Sequence, residues 1–185
     1  MRIVAGACRG RTLVAPDGGG TRPTADRMRQ AVFDMLLHAP WGGRDCVEGV
    51  AVLDAFAGTG ALGLEALSRG AASAVFIERD RMALAALRAN IAACGAQARC
   101  AVLPGDATRP PAGQGCGLVF LDPPYGKALV PAAVAALAVA GWLAPGALLV
   151  AETGRDEVPV WGEDVLAERL HGAARVSFRR WAPNG

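Results

Sequence analysis

Lysine is nearly missing from this chain: Lys127 is the only one, and arginine carries the rest of the basic charge. That bias, with its alanine-rich segments, reads as genomic composition. Histidine is scarce too. His38 and His171 stand alone and far apart, so they read as surface or helix-end residues, not ligands. The five cysteines (Cys8, Cys46, Cys94, Cys100, Cys116) are odd in number and form no C-x-x-C pair. This excludes a disulfide framework and a zinc site, and no metal is expected. No apolar run is long enough for a bilayer: the longest, about residues 128–140, falls well short. No signal-peptide core follows Arg2, so the expected location is cytoplasmic. Internal repeats and low-complexity stretches are also lacking. What remains is a 185-residue chain with 52% hydrophobic residues, enough for one domain with a substantial core.

The net charge of +2 conceals an asymmetry. The first thirty or so residues carry Arg2, Arg9, Arg11, Arg22, Arg27 and Arg29 against Asp17 and Asp26. Arginines clustered on a small appendage suit phosphates, so nucleic acid is the expected partner there. Arg175, Arg179 and Arg180 near the C-terminus read equally well as a solvated surface.

Residues 2–5 and 11–15 are short β-prone runs around the turn Cys8-Arg9-Gly10, which predicts a hairpin. It forms an N-terminal appendage over residues 1–20, with the main domain at 21–185. Thr24 resembles an N-cap, and apolar positions at helical spacing continue to about Leu37. From residue 50 the pattern alternates. Strands are predicted at 50–56, 74–78, 99–103, 118–121 and 148–152, and helices at 61–68, 80–94 and 131–140. Alternation of this kind means βαβ units and a mostly parallel sheet. Residues 165–170 and 174–181 then read as a terminal hairpin around His171-Gly172, with at least one antiparallel strand.

Two motifs carry the chemistry. Asp122-Pro123-Pro124-Tyr125 closes the apolar run Gly117-Leu118-Val119-Phe120-Leu121, where a buried strand would end. Ligands bind outside the carboxyl ends of strands in open α/β sheets. There the ring can stack on a planar base, while the acid and neighbouring carbonyls accept hydrogen bonds from an exocyclic amine. Upstream, Gly58-Thr59-Gly60-Ala61-Leu62-Gly63 matches G-x-G-x-x-G, with Glu78 twenty residues after Gly58. That spacing also fits a dinucleotide. Asp54, just before the turn, favours a ligand with a cationic end, because a pyrophosphate there would be repelled. Glu78 can accept two ribose hydroxyls and Asp106 an adenine amine. Three acids at three successive strand ends describe S-adenosylmethionine better than a dinucleotide.

These residues resemble the class I S-adenosylmethionine-dependent methyltransferases. The opening Arg2-Ile3-Val4-Ala5-Gly6, then Arg9-Gly10-Arg11, Thr21-Arg22-Pro23-Thr24 and the block from Asp54 to Ala71 are similar to the bacterial 16S ribosomal RNA guanine-N2 methyltransferase family. The resemblance covers residues 1–153. It implies an α/β, Rossmann-like fold: a mostly parallel seven-stranded sheet with the last strand antiparallel, plus a small N-terminal β-hairpin. It implies methyl transfer to N2 of a guanine in 16S RNA, within a partly assembled small subunit; separately, a monomer is expected. The site it implies takes Asp122, Pro123, Pro124 and Tyr125 as catalytic. Asp54, Phe56, Gly58, Gly60, Glu78, Arg79, Asp106, Ala107 and Thr24 would hold the cofactor. Arg2, Arg9, Arg11, Arg22 and Arg27 would meet RNA. Rival readings are a DNA or RNA amino-methyltransferase acting on adenine or cytosine, an NAD-dependent dehydrogenase, and a non-catalytic RNA-binding protein. The first would need a target-recognition insertion, and the dehydrogenase a substrate domain; the chain has neither.

Overall fold

The computed structural model describes residues 1–16, 23–158, 160–161 and 164–182. Helix α1 (Pro23–His38) is followed by β1 (Ala51–Asp54), α2 (Ala61–Ser68), β2 (Ser73–Glu78) and α3 (Arg81–Ala93). Then come β3 (Cys100–Pro104), β4 (Cys116–Leu121), α4 (Leu129–Val139), β5 (Leu143–Gly154), β6 (Ala167–His171) and β7 (Ala174–Arg180). The seven strands form one sheet in the order β3-β2-β1-β4-β5-β7-β6. Strands β1 to β5 pair in parallel. The last strand, β7, runs antiparallel to both β5 and β6. The order reverses between β1 and β4, which is where such sheets open a ligand crevice.

Pleating sorts the core onto two faces. Val52, Phe76, Leu118, Phe120, Leu148 and Val150 pack with α1, α2 and α3. Leu53, Ile77, Val119, Leu121, Leu149 and Ala151 pack under α4 with Trp142 and Trp161. Both faces are covered, so the strands read as continuous apolar runs, as buried parallel strands do.

Three of the differences from the sequence reading have a clear physical cause. First, α1 begins at Pro23, not after a cap at Thr24. Proline lacks the N–H that a first-turn residue could not pair anyway, so it starts a helix at little cost. Second, β5 begins at Leu143, ahead of the predicted residue 148, because its pairing jumps from Cys116↔Leu143 to Leu118↔Leu148 and the Pro145-Gly146 turn loops out between them. Third, the N-terminal hairpin takes its shortest form, a single antiparallel bridge between Arg2 and Thr12. Its ladder stops because side chains take the next backbone groups. The Val4 and Ala5 amides donate to the Glu65 carboxylate at 2.8 and 3.0 Å. On the other arm, the Val14 amide donates to Asn90 Oδ1 at 2.7 Å.

Candidate active site

The site lies at the strand reversal. Past β1, Gly58 and Gly60 both take positive φ, 52° and 80°, which turns the chain sharply into α2. At Gly60 a Cβ would also stand 2.3 Å from Leu87 Cδ1, so a side chain there would have to displace that buried leucine. At Gly58 a Cβ would meet nothing within 4 Å, and the backbone there is open to close approach by a ligand. The loop is braced from below: Asn90 Nδ2 donates to the Thr59 carbonyl at 2.9 Å.

Acids stand at the ends of five neighbouring strands, β3, β2, β1, β4 and β5. Asp106 follows β3. Its Oδ1 accepts from the Thr108 amide at 2.9 Å and the Thr108 hydroxyl at 2.8 Å, and Oδ2 lies 3.5 Å from the Arg79 guanidinium. The Thr108 hydrogen bonds, then Arg79, hold its carboxyl below the ordinary range. Glu78 ends β2 and ties two loops together: Oε2 accepts from the Gly58 amide at 2.7 Å, and Oε1 from the Arg79 and Asp80 amides at 2.7 Å. Asp54 ends β1 and is buried. Its Oδ2 accepts from the Gly63 amide at 3.0 Å, doing the capping that Gly60 has no side chain to do. Burial pushes its carboxyl up to about 7, the Gly63 bond lowers it, and Glu78 raises it. The α2 N-terminus is thus already occupied by a carboxylate, which disfavours a pyrophosphate there.

Asp122 follows β4, and Glu152 lies on β5 beside it; the sequence reading did not single out Glu152. The parallel pair Leu121↔Ala151 sets the two acids next to each other across the strands. Burial, then the charges of Glu152 and Asp54, drives the Asp122 carboxyl well above the ordinary range. Burial also raises Glu152, while the Tyr125 hydroxyl bonded to it lowers it. The Tyr125 phenol donates to Glu152 Oε1, anchoring its ring across the cleft while leaving it 44% exposed. Burial and that carboxylate push the phenol pKa up. Pro123 is buried and Pro124 exposed. Both lack an N–H, so the proline pair presents backbone acceptors only. Glu157 Oε1 fastens the loop from below, accepting from Gly126 at 2.9 Å and Gly154 at 2.8 Å. The loop ends at Ala128, the only non-glycine with positive φ among the described residues.

Two cavities open here. One, of about 560 Å³, is lined by Phe56, Gly58, Glu78, Arg79, Asp106 and Ala107, and closed by the Asp122-to-Tyr125 segment. The other, of about 310 Å³, is lined by Asp54, Asp122 and Glu152 with Met28, Arg29 and Val32 of α1. Phe56, Gly58 and Asp122 face both. Most of the sequence-derived site therefore converges. Gly60 lies beneath the loop and lines neither cavity. Thr24 is in the first turn of α1, the helix that flanks the smaller cavity.

The arginines divide. Arg2, Arg9 and Arg27 are exposed and line a shallow groove with Asp26 and Gln30, and Arg11 is exposed nearby. Arg22 lies outside the described residues. Arg29, counted with this basic set, is instead buried: it pairs with Asp26 at 2.8 Å and lies 3.4 Å from the buried Glu65, which also holds Arg69 at 2.8 Å. The C-terminal arginines are engaged too. Arg175 bonds the Glu157 carbonyl, Arg179 pairs with Asp164 over the Trp161 ring, and Arg180 bonds the Gly146 and Trp41 carbonyls. Sequence alone could not show this, since each partner is distant along the chain. Among the described residues no group of three or more His, Cys, Asp or Glu side chains is placed to hold a metal ion. Among them, too, no helix is long and apolar enough to cross a membrane.

Comparison with known proteins adds a second line of support. The model of a family described as conserved hypothetical protein 95 matches residues 1–179. Ribosomal RNA small subunit methyltransferase D of Escherichia coli is 41% identical over 182 residues, covering 97% of this chain and 88% of the relative. A putative rRNA methyltransferase, YlbH, of Bacillus subtilis is 34% identical over 175 residues, 91% of each chain. The solved structure of the putative methyltransferase yhhF from Escherichia coli superimposes with a TM-score of 0.83 at 35% identity, covering 100% of this chain and 99% of that one.

Proposed function

The chain belongs to the conserved hypothetical protein 95 family, and on that premise we propose that it transfers a methyl group from S-adenosylmethionine to the exocyclic N2 amine of a guanine in 16S ribosomal RNA. The relatives named as small-subunit rRNA methyltransferases support the rRNA reading. One observation carries the chemistry: Asp122, with the proline pair behind it, stands in the wall between the two cavities. A single carboxylate can thus address a ligand on each side.

The donor set fits this cofactor. Glu78 and Asp106 offer acceptors to a diol and an amine in the larger cavity, and Ala107 and Phe56 offer apolar contact. Asp54, Asp122 and Glu152 crowd negative charge around the smaller one. Burial raises all three, the charges of Glu152 and Asp54 raise Asp122 further, and a cationic group placed beside Asp54 would offset part of this. When bound, S-adenosylmethionine supplies a methyl group activated by a positive sulfur.

The protein's own part is placement. The amine of guanine is a weak nucleophile because its lone pair is drawn into the ring. Asp122 and the Pro123 carbonyl accept hydrogen bonds from its two N–H groups and hold the nitrogen in line for attack; the methylated amine is acidic and loses one proton late. Tyr125, anchored by Glu152, offers its exposed face to the base; such stacking contributes on the order of 1–3 kcal/mol. Most of the acceleration comes from fixing the two reacting centres. Arg2, Arg9, Arg11 and Arg27 would meet phosphates and set the approach of the RNA. We assign residues 1–20 as the RNA-facing appendage of the domain 21–185. The substrate is a partly assembled small subunit, and the enzyme acts as a monomer in the cytoplasm.

The test uses labelled methyl donor with small subunits from cells lacking the enzyme. Label is expected at N2 of one guanine of 16S RNA. Label on adenine N6, on cytosine N4 or on no RNA at all refutes the reading. Asp122→Ala should lose methyl transfer by on the order of 1,000-fold in a single-turnover assay, with cofactor binding intact by calorimetry. Near-normal turnover would remove Asp122 from its role.

A further inference from the structure

We propose that Glu152 selects the base, accepting the N1–H of guanine on its Watson–Crick edge, beside the reacting amine. This rests on the guanine-N2 reading above. Glu152 sits on β5, fixed on one side by the Leu121↔Ala151 pairing with β4 and on the other by its own pairing with Val176 of β7. Its backbone is therefore held by the sheet on both sides, unlike the loop that carries Asp122. Its carboxylate lines the smaller cavity together with Asp122. The walls beside it are apolar: Met28, Val32, Val150 and Val176. These apolar walls, with Asp122 and Glu152 at neighbouring strand ends and Asp54 and Arg29 completing the lining, suit a flat ring whose polar edge carries donors.

The carboxylate has capacity to spare. Among the described residues its one hydrogen-bond donor is the Tyr125 hydroxyl, on Oε1. An ionised carboxylate accepts about four hydrogen bonds. Guanine presents N1–H and N2–H side by side, both donors. Adenine and cytosine present an unprotonated ring nitrogen beside the amine. An acceptor-only side chain matches the first pattern and repels the second. Asp122 alone cannot make the distinction, because every exocyclic amine offers it the same protons. The division of labour is that Asp122 handles the reacting amine and Glu152 reads the ring nitrogen beside it.

Glu152 could instead serve only to tether Tyr125. The experiment separates the two roles with 2-aminopurine, which keeps the 2-amine but has no N1–H. Small subunits are reconstituted with guanine or 2-aminopurine at the methylated position, and single-turnover rates are compared. The wild type should methylate 2-aminopurine on the order of 10- to 100-fold more slowly, the loss expected for one charge-assisted hydrogen bond. Glu152→Gln should be slower on guanine yet discriminate no more than about 3-fold, since an amide can donate to the bare nitrogen. Tyr125→Phe, which removes only the tether, should keep the wild-type ratio. A wild type that uses both bases equally overturns the proposal without any variant. So does Glu152→Gln with the ratio unchanged, or Tyr125→Phe with the ratio lost. If the wild type methylates no guanine, the functional reading falls first, and that result is distinct from the others.

Discussion

Replacing Asp54 with asparagine should make the ligand-free protein more stable above neutral pH. Asp54 is buried at the head of α2, and burial pushes its carboxyl from 3.8 to about 7. Between those values the folded protein holds a proton that the unfolded chain has released. Stability therefore falls as pH rises through that window, and the full cost persists above about 7. At about 1.4 kcal/mol per pH unit, the cost is roughly 4 kcal/mol. Asparagine keeps an oxygen for the Gly63 amide and carries no charge to desolvate. Some of the gain will be offset by the loss of a charge-assisted bond. A rise in Tm of roughly 5–10 °C at pH 8 is the expected outcome for a domain of this size. At pH 5 the gain should be less than half as large, because Asp54 is then protonated in the fold. Scanning calorimetry of both proteins at the two pH values measures this. The same substitution should weaken S-adenosylmethionine binding and shrink the stabilisation that ligand gives, an exchange of function for stability. An equal gain at both pH values, or a loss at pH 8, would refute the argument.

Glu65→Ala should destabilise the fold by about 3–5 kcal/mol in urea titrations, because it strands Arg29 and Arg69 and frees the Val4 and Ala5 amides. Asn90→Ala should cost roughly 1–3 kcal/mol. It should also lower cofactor affinity, measured by calorimetry, since it releases the Thr59 carbonyl under the glycine loop. Replacing Arg9 and Arg11 together should weaken RNA binding and reduce the slope of log affinity against log salt by about 2. An unchanged slope would clear them of phosphate contact.

The fold was legible because buried parallel strands and their helices leave local signatures. Helix 61–68 could be read to the residue, since Gly60 and Gly70 bracket it. The clustering of Asp54, Glu78 and Asp106 was legible for a related reason: strand ends can be located from the sequence. Glu152 escaped because its importance comes from lying beside Asp122, a contact between strands thirty residues apart. The pattern of acids at successive strand ends held the signal, extended by one more strand. Arg29 was misassigned for the opposite reason. It sits among exposed arginines in sequence, but the helix turns it inward to Glu65, and one-dimensional charge counting cannot see direction. The single N-terminal bridge was hidden because Glu65 and Asn90 claim the backbone groups that a longer ladder would have used.

Those two claims bear on the order of assembly. Val4 is fastened to residue 65 and Val14 to residue 90, so the earliest part of the chain to be synthesised is among the last to be secured. A chain that has formed α2 but not α3 can hold the Val4 arm but not the Val14 arm. Both arms of the N-terminal turn are secured only once α2 and α3 are in place beneath them.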